Sequence, residues 1–210
     1  MNVFAGFYQL PANNNVVGRT TIATVKSGDN LHKIAERYDI GYGEIIAANT
    51  DINPDKLQIG QRIVIPSQFI LPPHDNNEIV IDVSKRRLYY FMHDKVFTAP
   101  IAVGRAGWET PKATAYIQRK VTDPYWKVPQ EIIADKAKQG IIVPEIIPPG
   151  ADNPLGRYAM TLSLPSFLIH GTNDPTTIGK RISAGCIRMY PKDIAVLFDL
   201  VPVGTKVRIL

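Results

Sequence analysis

FLIHGTNDPTTIGKRISAGCIRMY, residues Phe167 to Tyr190, holds the only cysteine of the chain, Cys186, and a histidine upstream of it, His170. Phe167-Leu168-Ile169 is an apolar run that predicts a short buried strand ending at His170, and Cys186-Ile187-Arg188-Met189 predicts a second. A thiol becomes a strong nucleophile when a neighbour takes its proton, and imidazole is the side chain suited to that near neutral pH. Gly171 follows the histidine and Gly185 precedes the cysteine. A glycine lets backbone approach a bound group, and here it leaves the N–H groups of Gly185 and Cys186 free to face an oxyanion. Nucleophile, base and oxyanion donors within one hairpin-like excursion predict an acyl-transfer site. A lone cysteine is most often a small buried apolar residue, and a lone histidine a surface or satisfied core residue. The pairing, the flanking glycines and the lack of any other thiol are what point to chemistry.

Ile169 to Thr172 (IHGT), Ile178-Gly179 and Ser183 to Met189 (SAGCIRM) together resemble the signature of the L,D-transpeptidase (YkuD) catalytic domain. Thr110-Pro111 is similar to the TP turn of that family, and Asn153 to Ala159 to its NPLG-x-YA segment, so the resemblance spans roughly Glu78 to Leu210. Many members carry a second histidine just before the Gly-Cys pair. Here that position is Ala184, which leaves His170 as the only nearby imidazole.

Apolar residues at 45% and charged residues at 20% describe an ordinary globular chain, and 210 residues suffice for one large domain or two smaller ones. The net charge of +5 suits an acidic partner or an anionic envelope surface, but the basic residues are too scattered to argue for nucleic acid. One cysteine makes no internal disulfide. No stretch approaches the roughly 18 apolar residues that span a bilayer, so a membrane-spanning role is not expected. Met1 to Leu10 has neither the basic start nor the apolar length of a signal peptide, and the family resemblance favours a segment already trimmed to its mature form.

Residues 1–20, with Asn13-Asn14-Asn15 and Gly18, read as an irregular arm that docks on something larger. Thr21 to Pro66 then reads as a compact βααβ unit. Thr21 to Val25 alternates, Ser27 to Asn30 makes a turn with a helix N-cap, and Leu31, Ile34, Ala35 and Tyr38 recur at helical spacing. A second helix carries Ile45, Ile46 and Asn49, and Ile63-Val64-Ile65 closes a strand at Pro66. Val25, Gly28, Asp29, Leu31, Ile34, Ala35, Asn49, Leu57, Gly60 and Pro66 make this unit similar to a LysM domain. That resemblance implies binding of N-acetylglucosamine-containing glycans. The groove would lie between the loop of Gly28, Asp29, Asn30 and Leu31 and the loop carrying Asn53 and Pro54, although Gly28 and Asp29 also serve as turn and cap. The expected organisation is an arm at 1–20, a LysM domain at 21–67, a Pro-rich semi-stiff linker at 68–77 and the catalytic domain at 78–210.

Beyond the linker the pattern is mostly β, with strands at 79–83, 88–92, 96–103, 113–121, 157–164 and 206–210. His93 falls at a solvated hairpin tip, and helices are expected over 129–139 and from Pro191. Residues 141–156, rich in Pro and Gly, predict a long ordered loop that walls the substrate cleft. Trp108, Tyr125 and Trp126 belong either to that cleft or to the core. The fold class is a mainly β catalytic domain, a β-sandwich or partly closed barrel, preceded by a small α+β LysM domain.

The resemblance implies a ping-pong reaction on peptidoglycan stem tetrapeptides in the periplasm or cell envelope. The Cys186 thiolate attacks the third residue's carbonyl and D-alanine leaves. The thioester passes to an amine, either diaminopimelate of another stem or a lysine of an envelope protein. His170 would be oriented by the main-chain carbonyl of Gly171, and no cofactor or metal is implied. Arg188, on the same strand face as Cys186, either holds a substrate carboxylate or pairs internally. Ser183 either caps the turn or contacts substrate. Two other outcomes stay open: an L,D-carboxypeptidase, in which water takes the acyl group, and a glycan-binding protein with a degenerate site. A Cys/His metal site is disfavoured because one thiol is available and His32, His74 and His93 lie in unrelated segments.

Overall fold

A computed structural model describes residues 6–210. Strand outweighs helix, 34% against 17%, which bears out the mainly β expectation. Eight strands form the frame: β1 (Glu78–Asp82), β2 (Arg87–Phe91), β3 (Lys95–Gly104), β4 (Ala113–Thr122), β5 (Tyr158–Leu162), β6 (Leu168–His170), β7 (Ile187–Met189) and β8 (Lys206–Ile209). Around the sheet they run β3-β7-β6-β5-β4-β8-β1-β2, and β2 pairs with β3 to close the circuit. Closure removes the exposed edges an open sheet would present.

Two of these contacts are parallel. β8 lies along β1, and β6 along β7, with Ile169 opposite Ile187 and His170 opposite Arg188. The expected hairpin between the histidine and cysteine strands is therefore corrected to a parallel pair. The reason lies in the connection: Gly171 to Cys186 is long enough to cross over, and includes a short turn of 3-10 helix at Pro175–Thr177 and a strand at Arg181–Ser183 along the end of β3.

Alternation decides what each strand faces. Ile79, Ile81, Leu88, Ile101, Ile169, Ile187 and Met189 fill the barrel core with Met160 and Val207. Helix α4 (Pro191–Leu200) adds Ile194 and Leu197 to it. Val80, Tyr89, Phe91 and Val96 point the other way and join a second cluster. That cluster is the core of the small N-terminal unit, in which the strands Thr21–Thr24 and Arg62–Ile65 pair antiparallel beside α1 (Leu31–Arg37) and α2 (Tyr42–Ala47). Asn49 ties α2 to that hairpin, donating to the carbonyls of Ile45 (2.7 Å) and Val64 (2.8 Å) and accepting from the Val64 N–H (2.7 Å).

The arm and the linker depart from expectation. Phe7–Gln9 pairs antiparallel with the start of β3, and Val16–Gly18 pairs with Gln68–Ile70. The described part of the arm is thus two short strands, and the linker begins as a strand. Three-residue strands are too short to betray themselves by alternation. The expectation for residues 1–5 lies outside the described residues.

The seam between the two units buries charge. Arg87, 1% exposed, donates through Nε and Nη2 to the two Glu44 oxygens at 3.0 and 2.8 Å, and through Nη2 to the Asp39 carbonyl at 3.0 Å. Its guanidinium also lies 3.9 Å over the Phe69 ring. Lys192 pairs with Asp39 and donates to the Glu36 carbonyl at 2.6 Å. Asp193 is buried beside Asp39. Burial first, then the negative charge of Asp39, hold the Asp193 carboxyl well above the usual carboxylate range. The folded state thus keeps a proton that the unfolded chain releases at about pH 4. Stability is fully held below that pH and falls as pH rises through the window up to the raised folded value. Asp193→Asn is expected to flatten this slope and to raise the unfolding midpoint at about pH 7.5, as read by denaturant melts of both proteins across pH.

Candidate active site

Because β6 and β7 run side by side, side chains of like parity share a face. Ile169, Ile187 and Met189 go inward. Leu168, His170, Cys186 and Arg188 go outward and line one cleft of about 280 Å³. Its walls include Trp108, Trp126, Pro154 and Leu155, together with Glu131 and Ile132 of α3 (Gln130–Ala137). The loop expected to wall the cleft does so through Pro154 and Leu155, and α3 adds a wall not foreseen. Trp108 and Trp126 are cleft residues, whereas Tyr125 is exposed. Buried Asn153 holds the loop in shape, donating to the carbonyls of Pro124 (2.8 Å) and Pro148 (3.1 Å) and accepting from the Leu155 N–H (2.9 Å).

His170 is buried, and its Nδ1 lies 2.7 Å from the Gly171 carbonyl oxygen. A carbonyl only accepts, so Nδ1 carries the proton and the Nε2 lone pair is left for other work. Burial, and then the nearby Arg188 charge, lower the imidazole to about 3, although the carbonyls of Gly171 and Leu155 favour its charged form. The Cys186 residue is half-buried at the cleft. Burial pushes its thiol up, while the Leu168 backbone and the Arg188 charge pull it down. The sulfur donates to the Ser166 carbonyl at 3.6 Å, and among the described residues no hydrogen bond joins it to the imidazole. Both groups therefore rest neutral in the same cleft, the thiol held up and the imidazole held down.

The catalytic-domain model of the L,D-transpeptidase (YkuD) family matches residues 76–209. The chain belongs to the L,D-transpeptidase family. Residues 23–66 match the LysM domain. The Probable L,D-transpeptidase YcfS of Escherichia coli is 36% identical over 95% of this chain and 65% of its own length. The Probable L,D-transpeptidase ErfK/SrfK of Salmonella typhimurium is 39% identical over 95% of this chain and 66% of its own length. The chain thus spans slightly less than two thirds of these relatives. In fold it is similar to the catalytic domain of the E. faecium L,D-transpeptidase acylated by ertapenem, with a TM-score of 0.50, 24% identity, and coverage of 66% of this chain and all of that one.

Among the remaining candidate residues, Arg188 is half-buried. Its Nε has no hydrogen-bond partner among the described residues, so the internal pairing left open from the sequence is not made at that atom. Ser183 is buried; its Oγ donates to the Cys186 carbonyl at 2.6 Å and accepts from the Gly185 N–H at 3.1 Å. Of the two roles open to Ser183 these bonds make the turn-capping one, and they correct the expectation of a free Gly185 oxyanion donor. Ser183 braces the turn, and the Gly185 N–H is already committed within it. Gly185 is required there, because its φ is +101° and a Cβ would come within 2.8 Å of the Phe167 ring.

The sugar-binding candidates divide. Leu31 is 1% exposed in the small core, so it is a packing residue. Asp29 pairs with Arg37 and accepts from the Lys26 N–H at 2.9 Å, which uses both oxygens. Asn30 caps α1 through the Lys33 N–H at 2.9 Å, and Asn53 accepts from the Asp55 N–H at 3.0 Å. Gly28, Asn30 and Asn53 remain at the surface, and Pro54 is half-buried.

A resting neutral pair has a kinetic signature. Alkylation of Cys186 by iodoacetamide is expected to quicken about tenfold per pH unit through neutrality, with an inflection above the ordinary thiol value of about 8.5. A rate already level at pH 6 to 7 would show a preformed thiolate–imidazolium pair instead.

Proposed function

We propose that the chain is a cysteine acyltransferase acting on peptidoglycan stem tetrapeptides. The observation that carries this reading is the shared outward face of β6 and β7, which brings the lone thiol, an imidazole whose Nδ1 proton leaves the Nε2 lone pair available, and an arginine whose Nε has no partner among the described residues into one cleft. Family membership supports the reaction class, and the ertapenem-acylated E. faecium domain supports an acylable site in this fold.

The Cys186 thiol gives its proton to His170 Nε2 as the sulfur attacks the carbonyl of the third stem residue. D-alanine leaves with that proton, and a thioester remains on the sulfur. An incoming amine, from a diaminopimelate side chain or a protein lysine, attacks the thioester. His170 takes the amine proton, and the thiol is restored. The Gly171 carbonyl holds the ring in the tautomer this needs. Arg188 binds a stem carboxylate, and the pairing has a second effect. Its free charge depresses the imidazole, so neutralising that charge with substrate makes His170 a better base only when the cleft is filled. The LysM unit would hold a glycan strand, and the setting for both substrates is the cell envelope. No helix among the described residues is long and apolar enough to cross a membrane.

Incubation of the full chain with purified tetrapeptide stems is expected to release D-alanine and give stem-to-stem or stem-to-amine products. It should also add the mass of ertapenem to the protein, and Cys186→Ala should abolish both effects. Free tripeptide as the sole product would make the enzyme a hydrolase. No D-alanine and no adduct would overturn the enzymatic reading. Arg188→Gln is expected to lower kcat/KM for tetrapeptide about tenfold to a hundredfold, the worth of one charged hydrogen-bonding partner, with Arg188→Lys intermediate.

A further inference from the structure

Two hydroxyls grip the turn that presents Cys186. Ser183 Oγ spans it from the Gly185 N–H to the Cys186 carbonyl. Thr110 arrives from far away in sequence, on the loop that leaves β3. Its Oγ1 donates to the Gly185 carbonyl at 2.7 Å and accepts from the Gly104 N–H at 2.9 Å. Thr110 is only 6% exposed. The loop reaches this position by folding back tightly over Gly104, where a Cβ would lie 2.0 Å from the Trp108 carbonyl oxygen and 2.6 Å from the Thr110 nitrogen.

The consequence follows from peptide geometry. The described peptide bonds are all trans, and in a planar trans unit the C=O and the following N–H point in opposite directions. Thr110 draws the Gly185 carbonyl into the interior. The Cys186 N–H belongs to the same unit, so it faces away from Thr110, on a residue that lines the cleft. The turn's other polar backbone groups at Gly185 and Cys186 are taken by the two hydroxyls.

We infer that Thr110 is a positioning residue for the oxyanion, its hydroxyl fixing the Gly185–Cys186 peptide so that the Cys186 N–H meets the negative oxygen of the tetrahedral intermediate. This rests on the acyl-transfer reading above. As the C–S bond forms, the carbonyl π pair moves onto oxygen, where the aimed N–H receives it. Collapse restores the C=O and breaks the bond to the leaving nitrogen, which takes the proton held on His170. Donors fixed in advance toward developing charge need no reorganisation during the reaction.

The test separates oxyanion stabilisation from thiol reactivity, using ertapenem, whose ring opening passes through an oxyanion, and iodoacetamide, whose alkylation does not. Thr110→Val keeps shape and removes the hydroxyl. It is expected to slow acylation of Cys186 by ertapenem about tenfold to a hundredfold while alkylation stays within about twofold. Thr110→Ser should restore most of the acylation rate. Equal loss in both reactions, or loss in neither, overturns the inference. The wild-type protein gives a reading that does not depend on a variant folding. On ertapenem acylation the Cys186 amide resonance should move and that of Gly185 should stay near its free position, whereas the reverse pattern overturns the assignment. Wild-type protein that is alkylated but never acylated would instead sink the acyl-transfer reading itself.

Discussion

The parallel contact between Leu168–His170 and Ile187–Met189 is the constraint on which the site depends. A strand has a side-chain period of two, so a one-residue slip would move Cys186 and Arg188 into the core and Ile187 out of it. The slip is opposed by Ile169, Ile187 and Met189, all fully buried among barrel residues. Apolar burial thus fixes the polar site indirectly: core residues set the register, and the reactive groups take the opposite face. The two strands sit inside a closed circuit, with β5 beside β6 and β3 beside β7, so neither is free to re-pair.

Charge is handled differently in the two buried regions. At the seam, Arg87 meets a carboxylate, a carbonyl and an aromatic face, so the cost of taking its charge out of water is offset on several sides. Asp193 is buried against another acid, and the charges of Lys192 and Arg87, both paired elsewhere, do not offset this, so it keeps a proton. In the cleft, Arg188 is the reverse case. It is partly buried with an unsaturated Nε, and its field lowers the proton affinity of both His170 and Cys186. The same positive charge favours thiolate and opposes imidazolium; burial outweighs it at the sulfur and adds to it at the imidazole, so both groups rest neutral and the balance is sensitive to any anion that enters.

What was legible in the sequence was local. Helical spacing around Leu31, Ile34 and Ala35, the cap at Asn30, and the His170 to Cys186 stretch all lie within windows of a few turns or strands. Their neighbours in space are mostly their neighbours in sequence. The rest required contacts that no window contains. Thr110 and Gly185 are 75 positions apart, and nothing around Thr110 except the following proline marks it. Leu31 read as a rim residue because its loop looked like a binding loop, yet the first helical turn aims it into the core. Gly185 read as an open donor because its φ freedom was legible, whereas the hydroxyl two residues earlier that takes its N–H was not.

The crossover between the two site strands has its own anchor outside the barrel. Gly179 has a φ of +86°, and a Cβ there would lie 2.5 Å from the Tyr42 nitrogen, at the start of α2. Tyr42 donates its N–H to the Ile178 carbonyl at 3.3 Å, while Gly179 donates to the Ile101 carbonyl at 3.1 Å. The crossover is therefore held between β3 on one side and the small N-terminal unit on the other. His32 stacks on Tyr42 with ring centroids 4.1 Å apart, and Lys180 sits 4.7 Å over the same Tyr42 ring, which widens the grip. A segment that must close the distance between His170 and Cys186 cannot shift without disturbing α2, and α2 carries the Glu44 that pairs with Arg87. The N-terminal unit is thus packed against the crossover between the two site strands, at a glycine that leaves no room for a side chain.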